Sequence, residues 1–143
     1  MFSKKCSYGI RAVIYLATLK RKNEFISILQ ISENLGISFY FLTKILQTLT
    51  RENILTSYRG PNGGVTFARP SSSITLLEIV EAIDGLKFFT ECTLGLKECS
   101  NEKPCPLHEQ SYLAKDQLRS ILESTTVDHL AHQAKNLNLK LLD

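Results

Sequence analysis

The chain has 143 residues, 43% of them hydrophobic, and a formal net charge of +3. That length suits one ordinary domain with a small appendage, and the apolar fraction is enough for a real core. No apolar run approaches the ~20 residues of a membrane-spanning helix. The apolar stretch from Ile10 to Leu19 is interrupted by Arg11 and lacks a cleavage-like small-residue site, so a cytoplasmic protein is expected. The net charge hides a split. Residues 1–69 hold ten Lys/Arg against three acidic residues, a net of +7; residues 70–143 hold seven against eleven, a net of −4. A basic half joined to an acidic half is the pattern of a nucleic-acid-binding module with a separate sensing or assembly region.

In chain order, the first element is a nearly all-apolar helix over 7–20, which belongs at the centre of a core. Lys20, Arg21 and Lys22 at its end suit the negative end of the helix dipole. Ser27 with Gln30 reads as a capping box opening a helix from Ile28 to Leu35, with Gly36 as its left-handed stop. Ser38 is the expected cap of a helix over Phe39–Thr50, whose inner face is Leu42, Ile45, Leu46 and Leu49. Two short helices joined by Leu-Gly-Ile-Ser form a helix-turn-helix. Strands at Leu55–Tyr58 and Val65–Ala68 flank Arg59-Gly-Pro-Asn-Gly-Gly, and the Asn-Gly pair, whose residues both tolerate positive φ, predicts a hairpin. A hairpin placed directly after a helix-turn-helix is a wing.

Pro70-Ser-Ser-Ser reads as a hinge. Thr75 and Glu78 form a second capping box for a helix that ends at Asp84 and stops at Gly85. The pattern then loosens until Pro106, which fits the first turn of a helix capped by Cys105. That helix should run to about Ser124, with an apolar stripe of Leu107, Ala114, Leu118, Ile121 and Leu122. A last short helix starts after Thr125, with Asp128 in its first turn. The fold class is mainly α with a small β-hairpin. The organisation is a winged helix-turn-helix over 1–85, a cysteine-rich loop over 86–105, and a long helix with a C-terminal helix over 106–143.

The second helix of a helix-turn-helix lies in the major groove, and its early residues meet base edges. The outward positions here are Ser38, Tyr40, Phe41, Thr43, Lys44 and Gln47. Ser, Thr and Gln bond base edges, Lys reaches guanine, and an aromatic ring contacts thymine methyls. Arg59 stands where a wing leans on the duplex, and arginine suits the negative potential of a narrow minor groove. Gly60, Asn62 and Gly63 complete the wing tip. Lys4, Lys5, Arg51 and Arg69 are candidate phosphate contacts, which position without specifying.

Cys92, Cys99, Cys105 and His108 fall within seventeen residues, and the chain has one other cysteine, Cys6. Cytosolic cysteines favour metal or redox chemistry over disulfides. No Cys-x-x-Cys zinc knuckle is present, and the irregular spacing suits a larger object such as an iron–sulfur cluster. A zinc site and metal-free thiol oxidation are the alternatives. A thiol oxidoreductase would need a Cys-x-x-Cys in a βαβ setting, which the chain lacks. Cys6 reads as structural, and His129 and His132 as a solvated face.

The ordered motifs together resemble the bacterial Rrf-two family of winged-helix transcription regulators, its IscR- and NsrR-like members in particular. They are Tyr-Gly-Ile-Arg-Ala (8–12), Ile-Ser-Glu-Asn-Leu-Gly-Ile-Ser (31–38), Phe-Leu-Thr-Lys-Ile-Leu-Gln-Thr-Leu (41–49), Arg-Gly-Pro-Asn-Gly-Gly-Val (59–65), Ile-Thr-Leu-Leu-Glu-Ile-Val-Glu-Ala-Ile-Asp-Gly (74–85) and the three-cysteine loop. The resemblance covers residues 3–134. It implies a homodimer whose long helix, about 106–124, crosses its twin, binding a double-stranded DNA operator. It also implies an iron–sulfur cluster, [2Fe–2S] or [4Fe–4S], held by Cys92, Cys99 and Cys105, with His108 as fourth ligand. In other members a residue near the partner's first helix ligates instead, and that position matches Ser7. The implied function is a DNA-binding regulator, a repressor or dual regulator, modulated by the cluster or by redox or nitric oxide state.

Overall fold

The computed structural model describes residues 2–19, 24–136 and 141. Lys20, Arg21 and Lys22 lie outside the described residues. The elements in order are α1 (Lys4–Thr18), α2 (Ile28–Leu35), α3 (Phe39–Arg51), β1 (Leu55–Tyr58), β2 (Gly64–Phe67), a 3-10 turn (Ser71–Ser73), α4 (Leu76–Asp84), α5 (Lys87–Thr90), α6 (His108–Ser124) and α7 (Val127–Asn136).

Helix α1 starts three residues earlier than its apolar run suggests. Ser3 caps it by accepting from the Cys6 N–H, and its own N–H and hydroxyl donate to the Asp84 carboxylate at 2.9 and 2.5 Å. The apolar faces of α1 then close three cores. Ala12, Val13 and Leu16 join Ile31, Leu35, Leu42, Leu46, Leu49 and the hairpin's Leu55 and Val65. Ile14 packs with Ala131 and Ala134 of α7, and Cys6 with Leu77, Val80, Phe89 and Leu122.

The helix-turn-helix forms as its periodicity predicts. Helix α2 has the expected bounds, Gly36 ends it at φ 64°, and the four inner residues of α3 are buried. Two caps differ in detail. Ser27 accepts from the Gln30 N–H, but the Gln30 amide donates to the Tyr15 hydroxyl at 3.5 Å. Ser38 occupies the cap position of α3 with its side chain unused; its carbonyl accepts from the Leu42 N–H at 2.9 Å.

The hairpin is antiparallel, with Leu55 opposite Phe67 and Tyr58 opposite Gly64. The expected hairpin forms, with a turn in which neither Asn62 nor Gly63 takes positive φ. The Gly63 N–H reaches the Gly60 carbonyl at 3.0 Å, and Asn53 is the non-glycine residue with positive φ among the described residues. Pro61 presets the first central position of that turn at negative φ, so a four-residue turn inside a longer loop replaces the two-residue one. The wing is sewn to the domain through Ile26 and Val65, which exchange two 2.9 Å backbone hydrogen bonds.

Pro70-Ser-Ser-Ser is no hinge. It forms the 3-10 turn, held by Ser73 N–H to the Pro70 carbonyl and by Arg69, which donates to the Ser73 carbonyl at 2.7 Å. Thr75 and Glu78 form the full capping box of α4. Leu76 N–H to Thr125 carbonyl and Val127 N–H to Ile74 carbonyl tie this point to the α6–α7 link. The Glu78 carboxyl sits below its ordinary 4.5: burial opposes this, and hydrogen bonds from the Thr75 N–H and from Arg69 at 2.6 Å outweigh it.

Helix α6 starts at His108, not around Pro106. Cys105 lies between two prolines, which disfavour helical backbone at the residue before each. It therefore stays in a turn, its carbonyl accepting from the His108 N–H at 3.0 Å, and caps nothing. The expected apolar stripe divides. Leu122 is buried and Leu118 packs beside it, whereas Ala114 and Ile121 face solvent and Leu107 precedes the helix.

Two measurements check these contacts. Gly64 sits at φ +152°, and a Cβ there would run into the Ile26 carbonyl; Gly95 sits at φ +71° with nothing within 4 Å. In urea unfolding, Gly64→Ala should cost roughly 2 kcal/mol or more and Gly95→Ala about 1 kcal/mol; equal costs would contradict the wing seam. Glu78 has a lowered folded pKa, so its contribution is full above pH 4.5 and is lost as pH falls below it. Glu78→Gln should therefore lower stability at pH 7 and flatten its loss toward acid, read from unfolding midpoints at pH 7 and pH 3.

Candidate functional site

The cysteine loop is a chain of turns. Gly95 N–H returns to the Cys92 carbonyl at 2.9 Å, Cys99 N–H to the Leu96 carbonyl at 3.2 Å, and Ser100 N–H to the Lys103 carbonyl at 3.2 Å. With the Cys105–His108 turn, these fold the strand back on itself, and the Sγ atoms of Cys92, Cys99 and Cys105 lie within 4.8 Å of one another. All three are free thiols, half-buried in a polar loop. Two sulfurs held by one tetrahedral ion at about 2.3 Å stand ~3.8 Å apart; Cys92 and Cys105 are 3.7 Å apart.

His108, the first residue of α6, adjoins this group at one corner. Its Nδ1 is 3.2 Å from the Cys99 Sγ, while its Nε2 is 3.0 Å from the Asn101 Oδ1. In the tautomer with the proton on Nε2, the ring donates to this amide oxygen and Nδ1 presents its lone pair to the Cys99 sulfur. The Leu96 N–H, then the Leu94 N–H, draw the Cys92 thiol down to about 7, helped by hydrogen bonds with Cys99 and Cys105. The Cys99 thiol moves the other way. The Cys105 N–H pulls it down, but burial and the adjoining Cys105 and Cys92 sulfurs outweigh that pull. Three soft donors and an oriented imidazole fit a soft metal or an iron–sulfur centre.

The loop is bound to α6. Tyr112 donates to the Thr90 carbonyl at 2.6 Å, Lys115 Nζ donates to the Glu91 carbonyl at 2.8 Å, and Thr93 and Ser111 hydroxyls meet at 2.6 Å. Cys6 stands apart as expected. It is fully buried, and burial, then the Asp84 carboxylate, push its thiol up to about 12. His129 and His132 are exposed, His132 lying 3.7 Å from Asp128 one turn away.

On the helix-turn-helix, Tyr40, Lys44 and Gln47 recur at i, i+4 and i+7 and form one exposed ridge of α3, with Ser38 exposed at its head; Tyr40 is 79% exposed. Phe41 is turned inward instead, edge-on to Tyr8 of α1 at 5.7 Å. Thr43 is half-buried, its hydroxyl donating to the Phe39 carbonyl at 2.7 Å. Arg59, Gly60 and Asn62 are exposed at the wing tip, and Gly63 is half-buried. Phe39, exposed and T-shaped against Tyr40 at 5.5 Å, was missed. So was Tyr58 on the wing, exposed with its ring against Phe25. Three successive aromatics opening α3 were the available signal for Phe39. Arg69 is committed to Glu78 and Ser73, which leaves Lys4, Lys5 and Arg51 as the exposed candidates for phosphate.

Comparison with known proteins decides the family. The family model described as Rrf2, iron-dependent transcriptional regulator, matches residues 2–133. The chain belongs to the Rrf2 family. It is 32% identical over 140 residues to protein aau3 of Rhizobium meliloti (strain 1021), covering 97% of this chain and 90% of that one. It is 26% identical over 132 residues to a protein named as an HTH-type transcriptional regulator of Aquifex aeolicus (strain VF5), covering 91% and 90%. The structure of CymR, the global cysteine regulator of B. subtilis, superposes with a TM-score of 0.78 at 25% identity, covering 93% of this chain and 97% of that one. T. potens IscR shares the fold, with a TM-score of 0.76 at 22% identity, covering 97% and 91%. This Rrf2 protein is thus a winged-helix, DNA-binding transcription regulator and not an enzyme. No helix among the described residues is long and apolar enough to cross a membrane.

A thiol count checks the loop against Cys6. In reduced, metal-free native protein, an aromatic disulfide reagent should titrate three thiols promptly and the fourth only after unfolding. Four prompt thiols would contradict the burial of Cys6.

Proposed function

We propose that this Rrf2 regulator is a homodimeric, cytoplasmic repressor whose grip on DNA is set by an iron–sulfur cluster at Cys92, Cys99 and Cys105, with His108 as the fourth ligand. One observation carries the reading: three free thiols converge within 4.8 Å in a polar loop clamped to the helix that packs on the DNA-binding half. When bound, such a cluster supplies reversible one-electron chemistry. The chain's own residues do the rest. The Leu94 and Leu96 N–H groups stabilise the Cys92 thiolate, and Asn101 holds the His108 ring with Nδ1 inward.

Tyr40, Lys44 and Gln47 enter the major groove, with Ser38 at the head of the helix, and Arg59 with Gly60, Asn62 and Gly63 leans on the minor groove. Phe41 supports this ridge from behind through Tyr8, and Thr43 acts from its flank. Leu113 and Ile121, 72% and 54% exposed on the outward side of α6, suit burial against a second copy. Two recognition helices would then stand ~34 Å apart on a near-palindrome. The residue ranges 1–85, 86–105 and 106–143 serve as reader, sensor and dimer unit. A second reading is favoured by the 3.7 Å Cys92–Cys105 separation: the same donors hold a single zinc ion, and the regulator answers to metal supply or thiol oxidation.

Anaerobic purification with visible absorption and iron, sulfide and zinc analysis tests both, alongside selection of bound sequences from random DNA. The expected outcome is coloured protein with iron and acid-labile sulfide, both lost in Cys92→Ser. A near-palindromic site should be selected, and Lys44→Ala should weaken binding to it by about 1–3 kcal/mol. Zinc without sulfide establishes the second reading. Colourless, metal-free protein that behaves like Cys92→Ser refutes both.

A further inference from the structure

Lys115 is a buried cation at 8% exposure, which is rare for lysine unless it is paired. Among the described residues no carboxylate forms an ion pair with it. Its ammonium donates to one backbone carbonyl, that of Glu91, and lies 5.1 Å from the Phe88 ring centroid and 5.7 Å from that of Tyr112. An ammonium has three donors and strong hydration to lose, so a single carbonyl and two ring faces are a thin replacement for water. The Glu91 carbonyl belongs to the peptide bond that leads into Cys92. One turn earlier on the same face of α6, Tyr112 holds the preceding carbonyl, Thr90, at 2.6 Å. A thiolate-bound inorganic centre is anionic, and this cation sits at the root of the arm that carries its first ligand.

The contacts continue from there toward DNA. Phe88 packs on Phe2 and Phe89, and Phe89 is buried with Cys6 of α1, Leu77 and Val80 of α4 and Leu122 of α6. About one turn into α1, Tyr8 touches Phe41 of the recognition helix.

We propose that the clamp of Lys115 and Tyr112 on the Glu91 and Thr90 carbonyls is the joint through which the cysteine centre acts on the DNA-binding half. It rests on the reading of the loop as a cluster site. Filling or emptying that centre changes the charge and the geometry at Cys92, the residue that follows the carbonyl this ammonium holds. The ammonium and the carbonyl it holds shift together, the Phe88 ring against it follows, and the aromatic contacts pass the movement to α1 and α3. Lys115 and Tyr112 are positioning residues; neither is a ligand.

The test uses the full chain, loaded by anaerobic reconstitution with ferrous iron and sulfide or left empty, with affinity for the selected DNA site read by fluorescence anisotropy. Wild type should show an affinity ratio between the two forms of about tenfold or more, an ordinary allosteric coupling. Lys115→Met should keep the visible absorption while its ratio falls below about threefold, and Lys115→Arg, which keeps the charge, should restore most of the coupling. A Lys115→Met protein that retains both absorption and the wild-type ratio overturns the proposal. If that variant fails to fold or to load, Tyr112→Phe decides by the same criterion: a reduced ratio supports the joint and an unchanged ratio overturns it. A wild-type ratio of one overturns both this and the cluster-switch reading, and it is seen before any variant is made.

Discussion

The structure depends on a single helix, α1, that is buried or half-buried at every residue from Tyr8 to Thr18. Over most of its 15 residues, α1 must satisfy an apolar surface on three flanks at once. One flank closes the winged helix-turn-helix, one receives α7, and its first turn meets α4, α5 and α6 around Cys6. The packing is close enough that a Cβ on Gly9 would overlap the Ile83 side chain and crowd Ile45 Cγ2 at 3.2 Å. Interiors packed at crystal-like density do not deform smoothly. A shift imposed on one flank of α1 is therefore felt on the others, and the basic and acidic halves of the chain are not mechanically separate.

The reader half was legible in the sequence because period and punctuation agree there. Ile31 and Leu35, then Leu42, Ile45, Leu46 and Leu49, repeat at helical spacing, and Gly36 breaks the run where the structure does. Errors arose where two local signals compete. Asn62-Gly63 asks for positive φ, but Pro61 ahead of it fixes a different turn. The serines after Pro70 look like a linker until Arg69, Glu78 and Asp128 are near enough to bond them or their neighbours. Such partners lie up to 57 residues away and leave no local trace. Helix α5 has four residues, too few for a period, and is fixed by where Phe88 and Phe89 are buried.

The cysteine loop was legible as chemistry and opaque as geometry. Donor types and polarity pointed to a soft metal, yet gaps of six and five residues carry no periodicity. The convergence comes from successive turns, one of them needing Gly95 at φ 71°. The assignment of Cys105 to a helix end failed for the same reason: Pro106 suits a first helical turn, but it also holds Cys105 out of the helix. The outcome favours chemistry. The Cys105 carbonyl anchors the His108 N–H, so the helix that starts there carries its imidazole back toward the Cys99 sulfur.

Helix α6 shows why a stripe read from hydrophobicity alone misleads. Its inward face runs through His108, Ser111, Tyr112, Lys115, Leu118 and Leu122, residues that recur at three- and four-residue spacing. The first four are polar or ionisable because they meet a loop whose backbone carbonyls and hydroxyl need donors. Only the last two meet a core. Leu113 and Ile121 stand on the opposite side, apolar and exposed. They are two large apolar side chains exposed among polar neighbours such as Asp116, Gln117 and Ser120. The same 17 residues thus hold the cysteine arm at one end, brace α1 and α4 at the other, and leave Leu113 and Ile121 exposed on their back. Anything that turns this helix about its axis acts on all three surfaces together.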